Sequence, residues 1–249
     1  MRRALAALLL LVAATITAQD ADGRFRAANE AARAGDLLRA VEEYRAVAVA
    51  GGESASLYWN WAQVASRRGA LGEALWALLR GRAVEPGDGR LGREIERLRE
   101  AASLQPAELA PEPLGAVARL GRRLRLGWVA LAAAVASVLC HAVARRSRAP
   151  WAGRAVWASS ALALAVGAVP LAGALGRPTA VVAVPGAALL ESASASAATV
   201  GELREGEVLP VLAESAGYLR VEDSSGARGW ARQSDVWPLD RPPGRSPGQ

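Results

Sequence analysis

The stretch RRGALGEALWALLRGRAVEP, residues 67–86, decides the fold of the N-terminal half of the chain. Its leucines recur at helical spacing with alanines between them, which predicts an amphipathic helix. Arginines in the last turn suit the negative end of the helix dipole, and Pro86 prevents continuation. Such a helix cannot bury its apolar face alone, so other parts of the sequence must supply its packing partners.

The same pattern occurs once more, 34 residues earlier. RAGDLLRAVEEYRAV begins at Arg33 and RRGALGEALWALLRG begins at Arg67, so Gly35 matches Gly69. Another amphipathic helix precedes each glycine, and this period with this helix–turn–helix order resembles the tetratricopeptide repeat. We therefore expect an all-α tetratricopeptide-repeat array over 19–104, closed by a capping helix, that presents a groove to a peptide or a partner protein.

Six residues on the first helices of the two repeats form the predicted groove. Asn29 and Arg33 share one helix face, and Gln63 and Arg67 take the same repeat positions one unit later. Two amide–arginine pairs in register predict a clamp for the backbone and carboxylates of an extended acidic peptide. The alternative is that these are ordinary solvated helix faces. The full predicted set is Asn29, Arg33, Trp59, Asn60, Gln63 and Arg67.

Composition argues against catalysis and metal binding. The chain of 249 residues has one histidine and one cysteine, His141 and Cys140, which are adjacent in its most apolar part. A histidine-based triad, a multi-cysteine metal site and an intrachain disulfide therefore lack the residues they need. We expect no enzyme activity, no cofactor and no metal site. The net charge of +6 comes from arginines beside apolar segments, so nucleic-acid binding is not expected.

Apolar runs predict a membrane topology. Residues 1–18 have the basic start, apolar run and small residues of a signal peptide, with an uncleaved anchor as the alternative. Segments 124–144 and 155–176 are each long enough to cross the hydrocarbon core, and an arginine-rich cytoplasmic loop, 145–154, joins them. A Pro- and Ala-rich linker, 105–123, precedes them. We therefore expect a multi-pass protein of the bacterial inner membrane, with both soluble parts on the periplasmic side.

A small all-β module is predicted over 179–240, before a tail, 241–249, whose composition is that of a disordered segment. The order GEVLPVLAESAGYLRVEDSSGARGWARQSDVW resembles a bacterial SH3 domain, although the loop LLESASASA departs from the Arg and Pro usual there. The resemblance assigns Tyr218 and Trp230 to a structural or ligand-binding face. We expect Trp230 to pack in or against the barrel, and a packing-only barrel and a ligand site are both open.

The order of these parts resembles the BatE-like proteins of the aerotolerance (Bat) operons along nearly the whole chain. The resemblance implies an envelope protein that acts with von Willebrand A-domain membrane proteins and a MoxR-type ATPase. The expectation is thus a multidomain membrane protein with a helical array, a two-helix transmembrane hairpin and an SH3-like barrel, acting as a non-catalytic, membrane-anchored interaction scaffold. The alternative function is a cell-wall anchor that binds peptidoglycan through the SH3-like domain.

Overall fold

The chain falls into two compact units. One unit contains Met1–Leu109 together with Arg177–Gln249, and the other is Ala110–Gly176. The N-terminal helices and the C-terminal strands therefore belong to the same body. The predicted signal peptide and linker lie outside the described residues. The computed structural model describes residues 20–104, 126–147, 156–158, 160–162, 164 and 178–244.

Five helices lie within residues 20–104, the described N-terminal part of the first unit. The first, α1, occupies residues 20–34 of the described chain. The others are α2 (Leu37–Val49), α3 (Ala55–Arg67), α4 (Leu71–Val84) and α5 (Gly89–Ala101).

Two equivalent helix pairs account for the 34-residue period. The turn between α1 and α2 contains Gly35 with a φ of 85°, and the turn between α3 and α4 contains Gly69 with a φ of 75°. This left-handed conformation favours glycine, which explains why glycine recurs at that position. The helical part of the predicted fold is confirmed in this coarser form, as a helical region built from repeated pairs.

Helix α4 is buried from its second residue, Gly72, to Leu79. It therefore has no solvated face over these residues. It contacts α3 and α5 on the helical side and strand β1 (Thr179–Val182) on the other. The backbone of β1 comes so close that a side chain at Gly72 would collide with the carbonyl oxygen of Val182. The partners of α4 therefore come from both ends of the sequence.

Seven strands form the C-terminal part of the same unit. Their order in the antiparallel sheet is β3-β2-β6-β5-β4-β1-β7. This confirms the expectation of a small all-β module. The strands are β1, β2 (Ala187–Leu190), β3 (Thr199–Leu203), β4 (Val208–Ser215), β5 (Tyr218–Glu222), β6 (Arg228–Arg232) and β7 (Val236–Pro238).

Alternate residues of the same strands enter two different cores. In β1, Ala180 and Val182 belong to the core inside the sheet, whereas Val181 belongs to the core of the helical region. In β7, Val236 enters the sheet core and Trp237 enters the helical core. Successive strand side chains point to opposite faces, so these short strands are buried on both sides. The helices and the sheet therefore share one hydrophobic interface.

The predicted transmembrane hairpin is wrong. Helix α6 (Leu126–Ser147) covers the first apolar segment, and helical residues of the second segment are described only at 156–158, 160–162 and 164. Among the described residues, no helix combines the length and the apolar character needed to cross a membrane. The prediction counted apolar residues, but many of them are alanine, whose single methyl group carries little of the transfer free energy of a leucine. The multi-pass inner-membrane location, which depended on these spans, is wrong as well.

The beginning of the predicted tail is packed against the sheet. Arg241 contacts the Glu214 carboxylate at 2.6 Å, and Pro242 is buried. The remaining tail residues, 245–249, lie outside the described residues.

Candidate functional site

A polar groove lies between α1 and α3, and five of the six predicted groove residues line it. We call it the α1–α3 groove; its volume is about 330 Å³. Trp59 is the sixth predicted residue and is not part of the lining. The lining consists of Asn29, Ala32, Arg33, Tyr44, Asn60, Gln63, Val64 and Arg67.

The repeat places these side chains in register. Asn29 and Gln63 are one repeat apart, as are Arg33 and Arg67, so each pair occupies the same position on neighbouring helices. Ser54 fixes the start of α3, because its hydroxyl accepts a hydrogen bond from the backbone N–H of Leu57 at 3.1 Å.

Three side chains at the floor of the groove form a hydrogen-bonded set. The Tyr44 hydroxyl donates to Asn29 Oδ1 at 2.8 Å, and Asn60 Nδ2 donates to the same oxygen at 2.9 Å. Within the described residues, the Asn29 amide nitrogen and Asn60 Oδ1 make no hydrogen bond. The Asn29 amide nitrogen and Asn60 Oδ1 therefore remain available as a donor and an acceptor, the two kinds of group that the C=O and N–H of a peptide backbone need.

Arginines give one end of the groove a positive charge. Arg33 and Arg67 are exposed, and Arg67 Nη1 donates to the backbone carbonyl of Ala32 at 3.0 Å. Burial raises the pKa of the Tyr44 hydroxyl, while the nearby charge of Arg33 opposes that rise. None of the described residues that line the groove is acidic. The groove therefore has the electrostatics of an anion-binding surface.

An ion pair on α5 lies next to the groove. Gln63 Nε2 is 3.5 Å from Glu94 Oε1, and the same carboxylate binds Arg97 at 2.6 Å. The hydrogen bond from Arg97 holds the pKa of Glu94 below its usual value. This carboxylate is therefore ionised near neutral pH and already paired.

Trp59 lies beside α5 rather than in the groove. The Arg90 guanidinium lies over its ring, 5.8 Å from the centroid, and the ring packs against the helical core. Arg90 also binds the Asp88 carboxylate at 2.7 Å. Trp59 therefore contacts an arginine that is already paired.

Tyr218 and Trp230 lie on the outer face of β5 and β6. Arg220 pairs with Trp230 and Tyr218 pairs with Arg232 across the two strands, which makes the two aromatic residues diagonal neighbours. Trp230 is half-buried, and the interior positions of β6 belong to Gly229 and Ala231. Trp230 therefore packs on the outside of the sheet. The outer β5–β6 face, defined by these four residues, combines aromatic rings with guanidinium groups.

Three tryptophans pack together between the helices and the sheet, a contact that was not predicted from the sequence. Trp61, Trp76 and Trp237 contact one another, with ring centroids 5.2 Å apart for the first two and 5.5 Å apart for the last two. Trp76 Nε1 donates to the backbone carbonyl of Pro238 at 2.8 Å. The available signal was the uninterrupted apolar run ALWALL at 74–79 in α4, because more than one helical turn without a polar residue leaves no face for solvent.

No metal centre is found in the described part of the chain. There, no three His, Cys, Asp or Glu side chains are grouped so that they could hold a metal ion.

Comparison with known proteins identifies one part of the chain. Residues 183–238 match the family model of the bacterial SH3 domain, a match that begins directly after β1 and ends at the last residue of β7. No curated protein and no solved structure matches the chain. The comparisons therefore give no support to the tetratricopeptide or Bat assignments, which stay predictions. The expectation of an SH3 domain is confirmed, because a bacterial SH3 domain is found at residues 183–238.

Proposed function

We propose that this chain is a non-catalytic interaction protein that binds an extended acidic peptide segment of a partner protein in the α1–α3 groove. The observation that carries the proposal is the joint lining of one groove by two amide–arginine pairs, Asn29 with Arg33 and Gln63 with Arg67. Such a groove is what a tetratricopeptide array uses to hold a peptide, which is the assignment we retain for the helical region.

The asparagines and the arginines of the groove would bind different parts of a peptide. The free donor of Asn29 and the free acceptor of Asn60 suit a peptide backbone, whatever its sequence. Arg33 and Arg67 select acidic side chains, because a guanidinium binds a carboxylate through two parallel hydrogen bonds. Each charge-assisted hydrogen bond is worth about 1.5–3 kcal/mol when it is shielded from water.

A defined probe tests the groove. A fluorescein-labelled peptide of eight glutamates should bind the full chain, and a peptide of eight glutamines should bind at least about tenfold more weakly. Arg33→Glu with Arg67→Glu should abolish binding of the acidic peptide. The matched control, Arg39→Glu with Arg93→Glu, changes the net charge equally at exposed sites outside the groove and outside the β5–β6 face. Equal loss in the control would reduce the effect to net charge and contradict the proposal.

A second candidate function follows from the SH3 match and the outer β5–β6 face. Aromatic rings beside guanidinium groups suit a polymer that has both sugar faces and carboxylates, such as peptidoglycan. Co-sedimentation with purified peptidoglycan should fall in Tyr218→Ala with Trp230→Ala. It should not fall in Val200→Ala, which removes a side chain that is 55% exposed on β3.

The partners implied by the Bat resemblance remain part of the proposal. They are von Willebrand A-domain proteins and a MoxR-type ATPase system, and the support for them is the resemblance in helical repeats and SH3 domain alone. Titration of the full chain with a purified von Willebrand A domain tests this. Binding that survives the double charge reversal in the groove would separate this partner from the acidic-peptide site.

A further inference from the structure

Two arginines of the outer β5–β6 face have no partner. Arg220 and Arg232 are exposed, and within the described residues neither forms a hydrogen bond or an ion pair. They are diagonal neighbours, because Arg220 pairs with Trp230 across the strands and Arg232 pairs with Tyr218. Side chains on such a diagonal start about 7–8 Å apart. Both guanidinium groups can therefore reach the same small ligand.

The nearest carboxylates on the same strands are already paired. Glu222, the next residue on that side of β5, accepts a hydrogen bond from Arg228 Nε at 2.7 Å. Glu214 on β4 accepts a hydrogen bond from Arg241 Nη2 at 2.6 Å. The segment 180–240 has nine acidic residues and four arginines, so it is acidic as a whole. The outer β5–β6 face is therefore a local positive patch on an acidic module.

The other diagonal of the face is aromatic. Tyr218 and Trp230 are both half-buried, so part of each ring is open to solvent. Trp230 pairs with Leu190 of β2 on its other side, which places an apolar side chain next to the indole. The Tyr218 hydroxyl makes no hydrogen bond within the described residues. An aromatic face with a free hydroxyl beside it suits a sugar ring, which has an apolar face and polar edges.

The number of unpaired charges selects the ligand. A carboxylate accepts two parallel hydrogen bonds from one guanidinium, so a ligand with one carboxylate leaves the second arginine unpaired. We propose that the outer β5–β6 face binds a sugar-linked peptide with two free carboxylates, one on Arg220 and one on Arg232, while the sugar lies on Trp230. The proposal rests on the peptidoglycan function given above. It specifies the recognised part of that polymer as a peptide stem whose carboxylates are not amidated.

The test uses the full chain and three probes that differ only in their carboxylates. N-acetylmuramyl-L-Ala-D-Glu has both carboxylates free, its isoglutamine form has one, and its diamide has none. Each is titrated while the indole N–H signal of Trp230, identified through Trp230→Phe, is followed by NMR. We expect a saturable shift and at least about threefold weaker binding for each carboxylate removed, the size expected of ion pairs that water still reaches. Added salt should reduce these differences.

Variants assign each carboxylate to its arginine. Arg220→Gln and Arg232→Gln should each abolish the difference between the probes with two carboxylates and one, because a single guanidinium remains. The double variant should bind all three probes equally. The matched control, Glu222→Gln with Arg228→Gln, removes the neighbouring ion pair of the same strands at constant net charge, and it should keep the order of the probes. Since the three probes are compared on the unaltered protein, that comparison remains decisive even where a variant fails to fold.

Three results would overturn the proposal. They are the absence of a saturable shift with the dicarboxylate probe, equal binding of the three probes, and an unchanged order of the probes in both arginine variants. Co-sedimentation of the unaltered chain with peptidoglycan judges the underlying function separately. Sedimentation together with equal binding of the probes would refute the dicarboxylate site alone. The expected order of the probes without sedimentation would support the site and refute binding to the intact polymer.

Discussion

Helices α2 and α4 occupy the same place in successive repeats, yet their surroundings differ. The carboxylate of Asp36 caps α2 at 3.2 Å, and α2 buries one face only. The N-cap of α4 is Ala70, which has no side chain that can cap the helix, and the Gly72 N–H instead donates to the Glu205 carboxylate of the SH3 domain. The repeat pattern therefore sets where each helix lies, whereas contact with the SH3 domain determines how much of its surface is buried.

Trp76→Ala should cause the largest loss of stability among the variants that compare α4 with α2. Truncation of a fully buried tryptophan costs about 3–5 kcal/mol, and it also leaves the Pro238 carbonyl without its donor. The equivalent position one repeat earlier is Glu42, which is exposed, so Glu42→Ala should change stability by no more than about 0.5 kcal/mol. Urea unfolding of the full chain, followed by circular dichroism, measures both. Similar losses of unfolding free energy in the two variants would mean that α4 contributes no more to the core than α2 does.

Gly72→Ala should give the next largest effect. Alanine is the better helix former by about 1 kcal/mol, but here its methyl group collides with the backbone carbonyl of Val182, and such overpacking costs about 1–3 kcal/mol. The matched change in α2 is Leu38→Ala at a position that is 65% exposed, which should be nearly neutral. Thermal unfolding of the two variants distinguishes them. Stabilisation by Gly72→Ala would show that β1 leaves room for a methyl group at this position of α4.

Loss of the cap should have a moderate effect. Glu205→Ala removes the acceptor for the Gly72 N–H, which should cost about 0.5–2 kcal/mol, the range known for capping residues. Glu205→Gln keeps an oxygen acceptor and should retain most of the stability. Asp36→Ala, which removes the local cap of α2, is the control of equal chemistry. Chemical denaturation compares the three, and unchanged stability in Glu205→Ala would refute capping by the SH3 domain.

The smallest effect concerns α5, which carries its own ion pair. Arg97 lowers the pKa of Glu94 from its ordinary value of 4.5, so the folded state favours the ionised carboxylate. This contribution is fully present above 4.5 and is lost as the pH falls through the lowered pKa of the folded state. Arg97→Gln should return the pKa of Glu94 toward 4.5, as an NMR titration of its carboxyl carbon would reveal. A pKa that stays low in the variant would assign the shift to another group.

Local sequence patterns predicted the helix turns and the register of the repeats, which depend on residues that are close in sequence. The glycines at 35 and 69 marked both helix turns, and the 34-residue period placed Asn29, Arg33, Gln63 and Arg67 together, because repeat register alone fixes which faces align. Turn spacing and strand composition predicted the all-β module in the same way, and the resemblance to the bacterial SH3 family supplied the domain assignment. Trp59 was misplaced, since its contact with Arg90 on α5 depends on the angle between helices, which spacing does not encode.

The packing of β1 against α4 could not be predicted in the same way. The run AVVAV at 180–184 contains residues that face two cores, and a continuous apolar run is the usual sign of a strand buried on both sides. That sign was available, but it does not identify α4, about 100 residues earlier in the sequence, as the layer that covers the second side of the strand. The membrane hairpin failed for a different reason, because an alanine-rich segment counts as apolar without carrying much transfer free energy.

Because residues of β1 and β7 are part of the helical core, we expect the helical region and the SH3 domain to unfold as one unit. Hydrogen exchange of the full chain in increasing urea tests it directly, with peptides from α3 and α4 compared with peptides from β5 and β6. We expect one common midpoint for both sets of peptides, and an equal shift of both midpoints in Trp237→Ala, since coincident transitions are the mark of a cooperative unit. Midpoints more than about 0.5 M apart, or a Trp237→Ala shift confined to the SH3 peptides, would contradict it.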